Sequence, residues 1–599
     1  MKHILPLLFC SALALPTLQA QTSPNGKVQV TFHDGALTVS CLHAGQRQQV
    51  MSLPVALSTD KALTTEAGEV KYDMLTGKRS HCSNAYTQCT YQLTDGHTLQ
   101  VRAYNDGVTW TSNNTSSPGL QQDRPHLVDF TTAQNDWLMH WADSYEGFFP
   151  KNSNHKEGEH LGYPALFEYK DGLFALLTES NVDSLDAASS FFRSAREGIF
   201  EVKADGEGGH ADQTLILGSL AEVVASTLVT DNSQPCRLEE TAWIEPGVAS
   251  WVYWAYNHGL KDYNIIKKYT DMAVALNLPY VLIDAEWDEA APMEYKGEKM
   301  PMVEAAVRYA IDNGVKPMIW YNSSVGWVNG APGPNFRLNK PEDREREFAW
   351  CEKIGVAGVK IDFFSGDNNR NMRYMIELLE SAAKHHLLVN FHGATIPRGW
   401  QRTYPNLVST EGVYGAEWYN NVPTFTKRAA AHNATLPFTR NVVGPMDYTP
   451  CAFTDSQHPH ITTHAHELAL TVLFESGIQH LADRPESFLA QPEAVKNFLS
   501  ELPTAWDETR LLEGYPGQNV VIARRKGERW FIAGINGTDG EMTFDLPKYL
   551  KMLSIKKKQL TVFLDGKSAK SPWEFRSSGK KGKLSPVTVP ARGGFVIAE

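Results

Sequence analysis

The hydrophobic rhythm of the chain changes near residue 242, and this change limits the fold more than any single motif does. Before it, short alternating runs such as KVQVTFHDGALTVSC, TYQLTDGHTLQVRAYNDG and DGLFALLTES are separated by Asp-Gly and similar turns. Alternation with period two, punctuated by residues that tolerate positive φ, specifies hairpins that bury one face. Residues 21–241 therefore read as a β-sandwich domain. After TAWIEPGVASWVYW the apolar runs alternate with amphipathic stretches. SWVYWAY, YVLIDAEW, KPMIWYN, GVKIDFF, LLVNFHG, NLVSTEGV, ATLPFTR and IQHLADRP are candidate strands. YNIIKKYTDMAVALN, VEAAVRYAIDNG, DREREFAWCEKIG, NRNMRYMIELLESAAKHH and HELALTVLFES are helices between many of them. This pattern predicts a (β/α)8 TIM barrel over 242–504. Short strands return in QNVVIARRKGERWFIAGIN, EMTFDL, QLTVFLDG and GGFVIAE, giving a small all-β sandwich domain over 505–599.

A chain of 599 residues with 42% hydrophobic residues can fill several cores, so a multidomain fold is expected. Its net charge of −12 argues against nucleic-acid or anionic-membrane partners, which need clustered Lys and Arg. The opening MKHILPLLFCSALALPTLQA has a positive start, an apolar run and a small-residue end at Ala20. Residues 1–20 thus read as a signal peptide, with export across the inner membrane to a periplasm as the expectation. No later stretch is long and apolar enough to insert in a bilayer. Cys82 and Cys89 could form a local disulfide or remain two thiols, and their spacing does not suit zinc.

Polar groups fall where a barrel places its chemistry, at the carboxyl ends of strands. Asp362 ends GVKID; Asp284 and Glu286 follow YVLI; Asn390 and His392 follow LLV; Glu411 follows LVST; Arg440 follows LPF. Asp362 could instead cap the helix beginning near Asn368, but it lies too far upstream, and Asp367 is the better cap. Asp284 could be a satisfied structural acid and His392 an ordinary buried histidine. Trp251, Trp254, Trp287, Trp320, Tyr321, Trp400 and Trp418 recur near strand ends, as core residues or as faces for sugar rings. Glu411 and Glu417 lie six residues apart in the glycine-bearing loop STEGVYGAEWYNN. A pair of carboxylates across a scissile bond is what glycoside hydrolysis needs.

The chain resembles glycoside hydrolase family 97 in WIEPG, GVKIDFF, VNFHGATIPRGWQRTYPNLVSTEGVYGAEW and TRNVVGPMDYTP. The resemblance implies a secreted, exo-acting α-glycosidase with calcium (Ca2+) held by acids from both the β-sandwich and the barrel. The family has an inverting, α-glucosidase-like branch, in which a base glutamate follows the fifth-strand histidine. Here Gly393 follows His392, so that base is missing, while Asp362 in KIDFF stands where the retaining, α-galactosidase-like branch has its aspartate at the end of the fourth strand. By that resemblance Asp362 is the nucleophile, Glu417 the general acid/base, and Glu179 and Glu411 are calcium ligands. By strand-end position, Asp284, Trp287, Trp320, Asn390, His392 and Arg440 are substrate-binding candidates. The expected substrate is an α-galactoside or oligosaccharide. An α-glucosidase of the same architecture and a non-catalytic carbohydrate-binding protein are the alternatives.

Overall fold

The computed structural model describes residues 20–599 except 60, 115–125, 207–208, 253–258, 327–329, 331, 420–422, 456–458, 557–558, 569 and 579–583. The signal-peptide expectation for 1–20, Ala20 apart, and Trp254 lie outside the described residues. Between Gln21 and Gly218, fifteen strands form one antiparallel sheet. In the strand Val28–His33, Val28, Val30 and Phe32 point inward. The next strand follows a tight turn at Asp34-Gly35, where φ is +50° and +75°, the left-handed geometry that matches strand twist in a hairpin. The sheet folds over itself. Gln21 Nε2 donates to Thr87 O at 2.7 Å and Val101 O at 3.0 Å, and the Phe32 and Tyr91 rings lie 4.4 Å apart. Cys82 and Cys89 are separate thiols on one strand, His81–Gln92. At about 3.3 Å per residue an extended strand holds them far beyond disulfide reach.

The central sheet is parallel. Its order is Leu407–Thr410, Leu388–Phe391, Gly358–Asp362, Lys316–Asn322, Tyr280–Ile283, Gly247–Val252 and Ile478–Leu481. All but the first residue of Lys316–Asn322 are buried in these strands, as helices on the outside and packed side chains on the inside require. The expected strand ATLPFTR is instead two 3-10 turns, Leu436–Phe438 and Arg440–Val442. Pro437 sits in the first turn and has no N–H to give a ladder. The gap is bridged by single hydrogen bonds: Asp447 N to Thr410 O at 3.1 Å, Gly477 N to Val408 O at 2.9 Å and Ala482 N to Pro450 O at 2.9 Å. Asn368, not Asp367, caps the helix Asn369–Lys384, accepting from Asn371 N at 3.1 Å.

The C-terminal domain centres on a six-stranded sheet between Glu508 and Ala598. Arg524 ties it to the barrel by donating to Val472 O at 2.6 Å and Leu473 O at 2.9 Å, at the carboxyl end of the helix His464–Leu473. Those carbonyls have no partner within the helix, and a cation there also meets the negative end of its dipole. On the N-terminal side of the same junction, Lys78 donates to Val224 O at 3.0 Å and Val442 O at 2.9 Å. Burial pulls the Lys78 pKa down to about 7, with Glu475 opposing that fall. The unfolded lysine titrates near 10.4, so between about pH 7 and pH 10 the unfolded chain binds the extra proton and stability rises with pH. Relative to the native protein, Lys78→Met is therefore expected to be most stable below pH 7 and to lose ground as pH rises to 10. Paired thermal melts across that range check the sign.

Candidate active site

The strand Gly358–Asp362 places alternate residues on opposite faces, so Lys360 and Asp362 share one. Lys360 Nζ donates to Asp284 Oδ2 at 2.9 Å, with both side chains buried. Trp251 Nε1 donates to the same oxygen at 2.9 Å, and Ala285 N holds Asp284 Oδ1 at 2.9 Å. Asp284 is thus anchored inside the barrel by three donors. Asp362 is held by Trp320 Nε1 at 3.1 Å and Phe363 N at 2.8 Å. It keeps 9% of its surface open, against 2% for Asp284 and Glu411 and 1% for Asp447, so it is the more accessible of these acids. Burial pushes the Asp362 carboxyl up; Lys360 and His392 pull it back, and Glu417 adds to the rise.

Gly393 explains how Asp362 obtains its space. A Cβ at position 393 would stand 2.7 Å from Asp362 Oδ1 and 2.8 Å from Phe363 N, and Gly393 has φ of +48°. Any side chain there meets the carboxylate and the backbone together, in a conformation that favours glycine. The Gly393 N–H donates to Glu411 Oε2 at 2.7 Å, while Glu411 Oε1 lies 3.3 Å from His392 Nδ1. His392 Nε2 meets Asp447 Oδ2 at 2.7 Å, and the same oxygen receives His480 Nδ1 at 2.7 Å and Asn390 Nδ2 at 2.6 Å. Burial works against a charged His392, but Glu411 and Asp447 outweigh it and raise its pKa well above the ordinary value. Asp447 is held well below the carboxylate range because His480 and His392 overcome the cost of burial.

Glu417 occupies the short 3-10 turn Ala416–Tyr419. Burial, then the Glu411 carboxylate with which it shares a hydrogen bond, raises its pKa well above the ordinary value. The β-domain contributes a residue that the sequence reading missed: Glu146. Its oxygens accept from Ser144 Oγ at 2.6 Å and Trp418 Nε1 at 2.5 Å. Burial, followed by the charge of Glu417, pushes it up to about 7. Neighbouring buried carboxylates mark a place where a cation is favoured.

His392, Glu411 and Glu417 offer donor atoms within 4.8 Å of one another, close enough to hold a metal ion. Calcium takes oxygen ligands, so the two glutamates fit it and the imidazole, already held by Asp447 and Glu411, does not. Glu179, expected as a ligand, faces elsewhere: it pairs with Arg398, and its other oxygen accepts Ser189 N at 2.8 Å. Arg440 is not placed for substrate. It is 1% exposed and gives its N–H groups to the carbonyls of Gly412, Gly444, Thr410, Glu411 and Pro445, at 2.8 to 3.1 Å. It braces the loop that bears Glu411. Trp251, Trp287, Trp320 and Trp400 are at most 3% exposed. Their indole N–H groups go to Asp284, Trp320 O, Asp362 and Val182 O. They are supports rather than open sugar platforms.

The crowding at Gly393 generates a direct test. Gly393→Ala is expected to displace the Asp362 carboxylate and to lower any turnover that depends on its position by about 100-fold, the usual consequence of moving a positioned group by about an ångström. Steady-state kinetics beside circular dichroism and a thermal melt check that the loss comes with an intact fold.

Residues 22–235, 243–413 and 505–598 match three family descriptions: Glycosyl-hydrolase 97 N-terminal; Glycoside hydrolase 97; and Glycosyl-hydrolase 97 C-terminal, oligomerisation. A probable retaining alpha-galactosidase of Streptomyces bingchenggensis is 34% identical over 543 residues, covering 86% of this chain and 82% of the relative. A retaining alpha-galactosidase of Bacteroides thetaiotaomicron is 25% identical over 691 aligned positions, covering 100% of both chains. The crystal structure of a beta-arabinopyranosidase superposes with a TM-score of 0.82 at 25% identity, covering 97% of this chain and 100% of the other. With its barrel carboxylates and these matches along most of its length, the chain belongs to glycoside hydrolase family 97.

Proposed function

We propose that this protein is an exported, exo-acting retaining α-glycosidase, with terminal α-linked galactose as its leading substrate. The β-domain of 21–241 and the small domain of 505–599 flank a catalytic barrel of 242–504, and the leader-like opening sequence supports a periplasmic location. The observation that carries this reading is the contact between position 393 and Asp362. The base of the inverting branch would follow His392, and a side chain there would collide with Asp362 Oδ1, 2.7 Å from the Cβ position. The two named retaining alpha-galactosidases support the same assignment.

In the proposed reaction, Asp362 attacks the anomeric carbon as the bond to the departing oxygen breaks, and Glu417 gives that oxygen its proton. Glu417 then takes a proton from the water that attacks the same carbon, and the Asp362–sugar bond breaks to release the product with its starting α configuration. Lys360 favours the ionised nucleophile, and burial beside Glu411 favours the protonated acid. Glu411, with Glu146 from the β-domain, would hold calcium through oxygen donors beside Glu417, which stays free to give its proton. Calcium bound there would polarise sugar hydroxyls and offset clustered negative charge. His392, held between Glu411 and Asp447, orients Glu411.

The first test is NMR of the initial product anomer, with p-nitrophenyl α-galactoside, α-glucoside and arabinopyranoside offered in parallel. The α-anomer released first, and fastest from the galactoside, is the expected result; β-anomer first overturns the retaining mechanism, and faster glucoside turnover overturns the substrate. Asp362→Ala is expected to lower kcat by at least about 1,000-fold, as removal of a nucleophile does; its activity measured beside an unchanged thermal melt excludes misfolding. Chelation with EGTA is expected to lower both activity and Tm, with calcium but not magnesium restoring them. Unchanged activity and Tm after full chelation would remove calcium from the reading.

A further inference from the structure

Glu146 reaches the pocket on a loop that leaves the β-domain after the strand Asn135–His140. Two residues of that loop grip one barrel carboxylate. Trp141 Nε1 and Tyr145 OH donate to Asp367 Oδ2 at 3.0 and 2.7 Å. On its other oxygen Asp367 receives Arg398 Nη2 at 2.9 Å and the Thr395 hydroxyl. Arg398 also donates to Tyr145 OH at 3.1 Å and, through Nε, to Glu179. Glu179 and Arg398 are 0% exposed, Asp367 1% and Tyr145 2%. The loop and the barrel are thus joined through a buried cluster of two carboxylates, one guanidinium and one phenol, in which loss of a partner leaves a buried group unpaired.

The residue before Glu146 is under strain. Tyr145 has φ of +57°, a conformation that a bulky side chain keeps only where its surroundings impose it. The groups that impose it here include Asp367 and Arg398, which hold its hydroxyl. Reversing the chain at Tyr145 turns Glu146 away from the cluster and toward Trp418, whose indole donates to its carboxylate at 2.5 Å.

We propose that the Asp367–Arg398–Tyr145 clamp is a positioning device that aims Glu146 into the pocket from outside the barrel. The proposal rests on the reading of Glu146 as part of the reactive pocket. Asp367, Arg398 and Tyr145 are positioning residues and touch no reacting atom. Their task is to fix a β-domain loop as a wall of the barrel site, as pocket geometry needs support beyond the groups that touch substrate.

The test is a double-mutant cycle on the full-length enzyme with Tyr145→Phe and Glu146→Gln, read by kcat, KM and the calcium-induced shift in Tm. Tyr145→Phe is expected to lower kcat about 10-fold and shrink the calcium shift, with KM changed less than kcat. In the Glu146→Gln background the same substitution should cost less than about 2-fold further, because coupled residues are not additive. Additive losses, or a Tm drop in Tyr145→Phe with kcat unchanged, overturn the clamp. If Glu146→Gln alone changes neither kcat nor the calcium shift, the reading of Glu146 fails instead. Trp141→Phe removes the other bond to Asp367 and serves as the second arm if Tyr145→Phe does not fold; it should show the same non-additivity.

Discussion

Lys360 is the buried positive charge around which the barrel interior is arranged. Its ammonium lies 2.9 Å from Asp284 and 5.0 Å from the centre of the Trp251 ring. Burial alone would lower its pKa, yet Asp284, Asp362 and Glu417 reverse that effect and keep it charged. Without that cation, the acids at the strand ends would face one another across a medium of low dielectric. The other cation in the pocket, His392, is secured by the same logic from the opposite side, between Glu411 and Asp447. Acids with cations between them can differ in protonation, and acid and nucleophile roles in glycoside hydrolysis depend on that difference.

Space is as restrictive as charge. Gly393 sits where its own N–H fixes Glu411 and its missing side chain admits Asp362. One position therefore serves two carboxylates, and the glycine follows from the backbone conformation and the close approach together. The glycine and the strand-end aspartate are a matched pair: a larger residue at 393 would require the Asp362 carboxylate to move.

Much of this was legible in the sequence. The switch from alternation to strand-helix repeats marked a β-sheet region followed by a parallel barrel, and strand ends located Asp284, Asp362, His392 and Glu411. Lys360 went unread: it stands two residues before Asp362 on the same face, but a lysine inside an apolar run carries no sign of its partner until the barrel brings Asp284 alongside from the strand two places away. Asp447 and His480 lay within TRNVVGPMDYTP and IQHLADRP. Their meeting depends on how the barrel closes, and ATLPFTR hid that closure by resembling a strand while folding as turns. Arg440 followed LPF and so counted as a strand-end group. Its role became clear only from the carbonyls it meets, which no side-chain pattern records.

The different surroundings of Glu179 and Glu146 have a physical reason. Glu179 lies within the strand Phe174–Ser180, paired to Gln213. A strand residue can point only where the pleat sends it, and there Arg398 and Ser189 take both of its oxygens. An acid in SYEGFF has no such constraint. It lies on a connection whose course is set by contacts at Trp141 and Tyr145, so its direction can be adjusted to the barrel without disturbing the sheet. A domain that must reach into a neighbour's site does so best with a loop residue supported by a rigid anchor. The buried acid of the strand then belongs to the anchor, and the half-buried acid of the loop to the pocket.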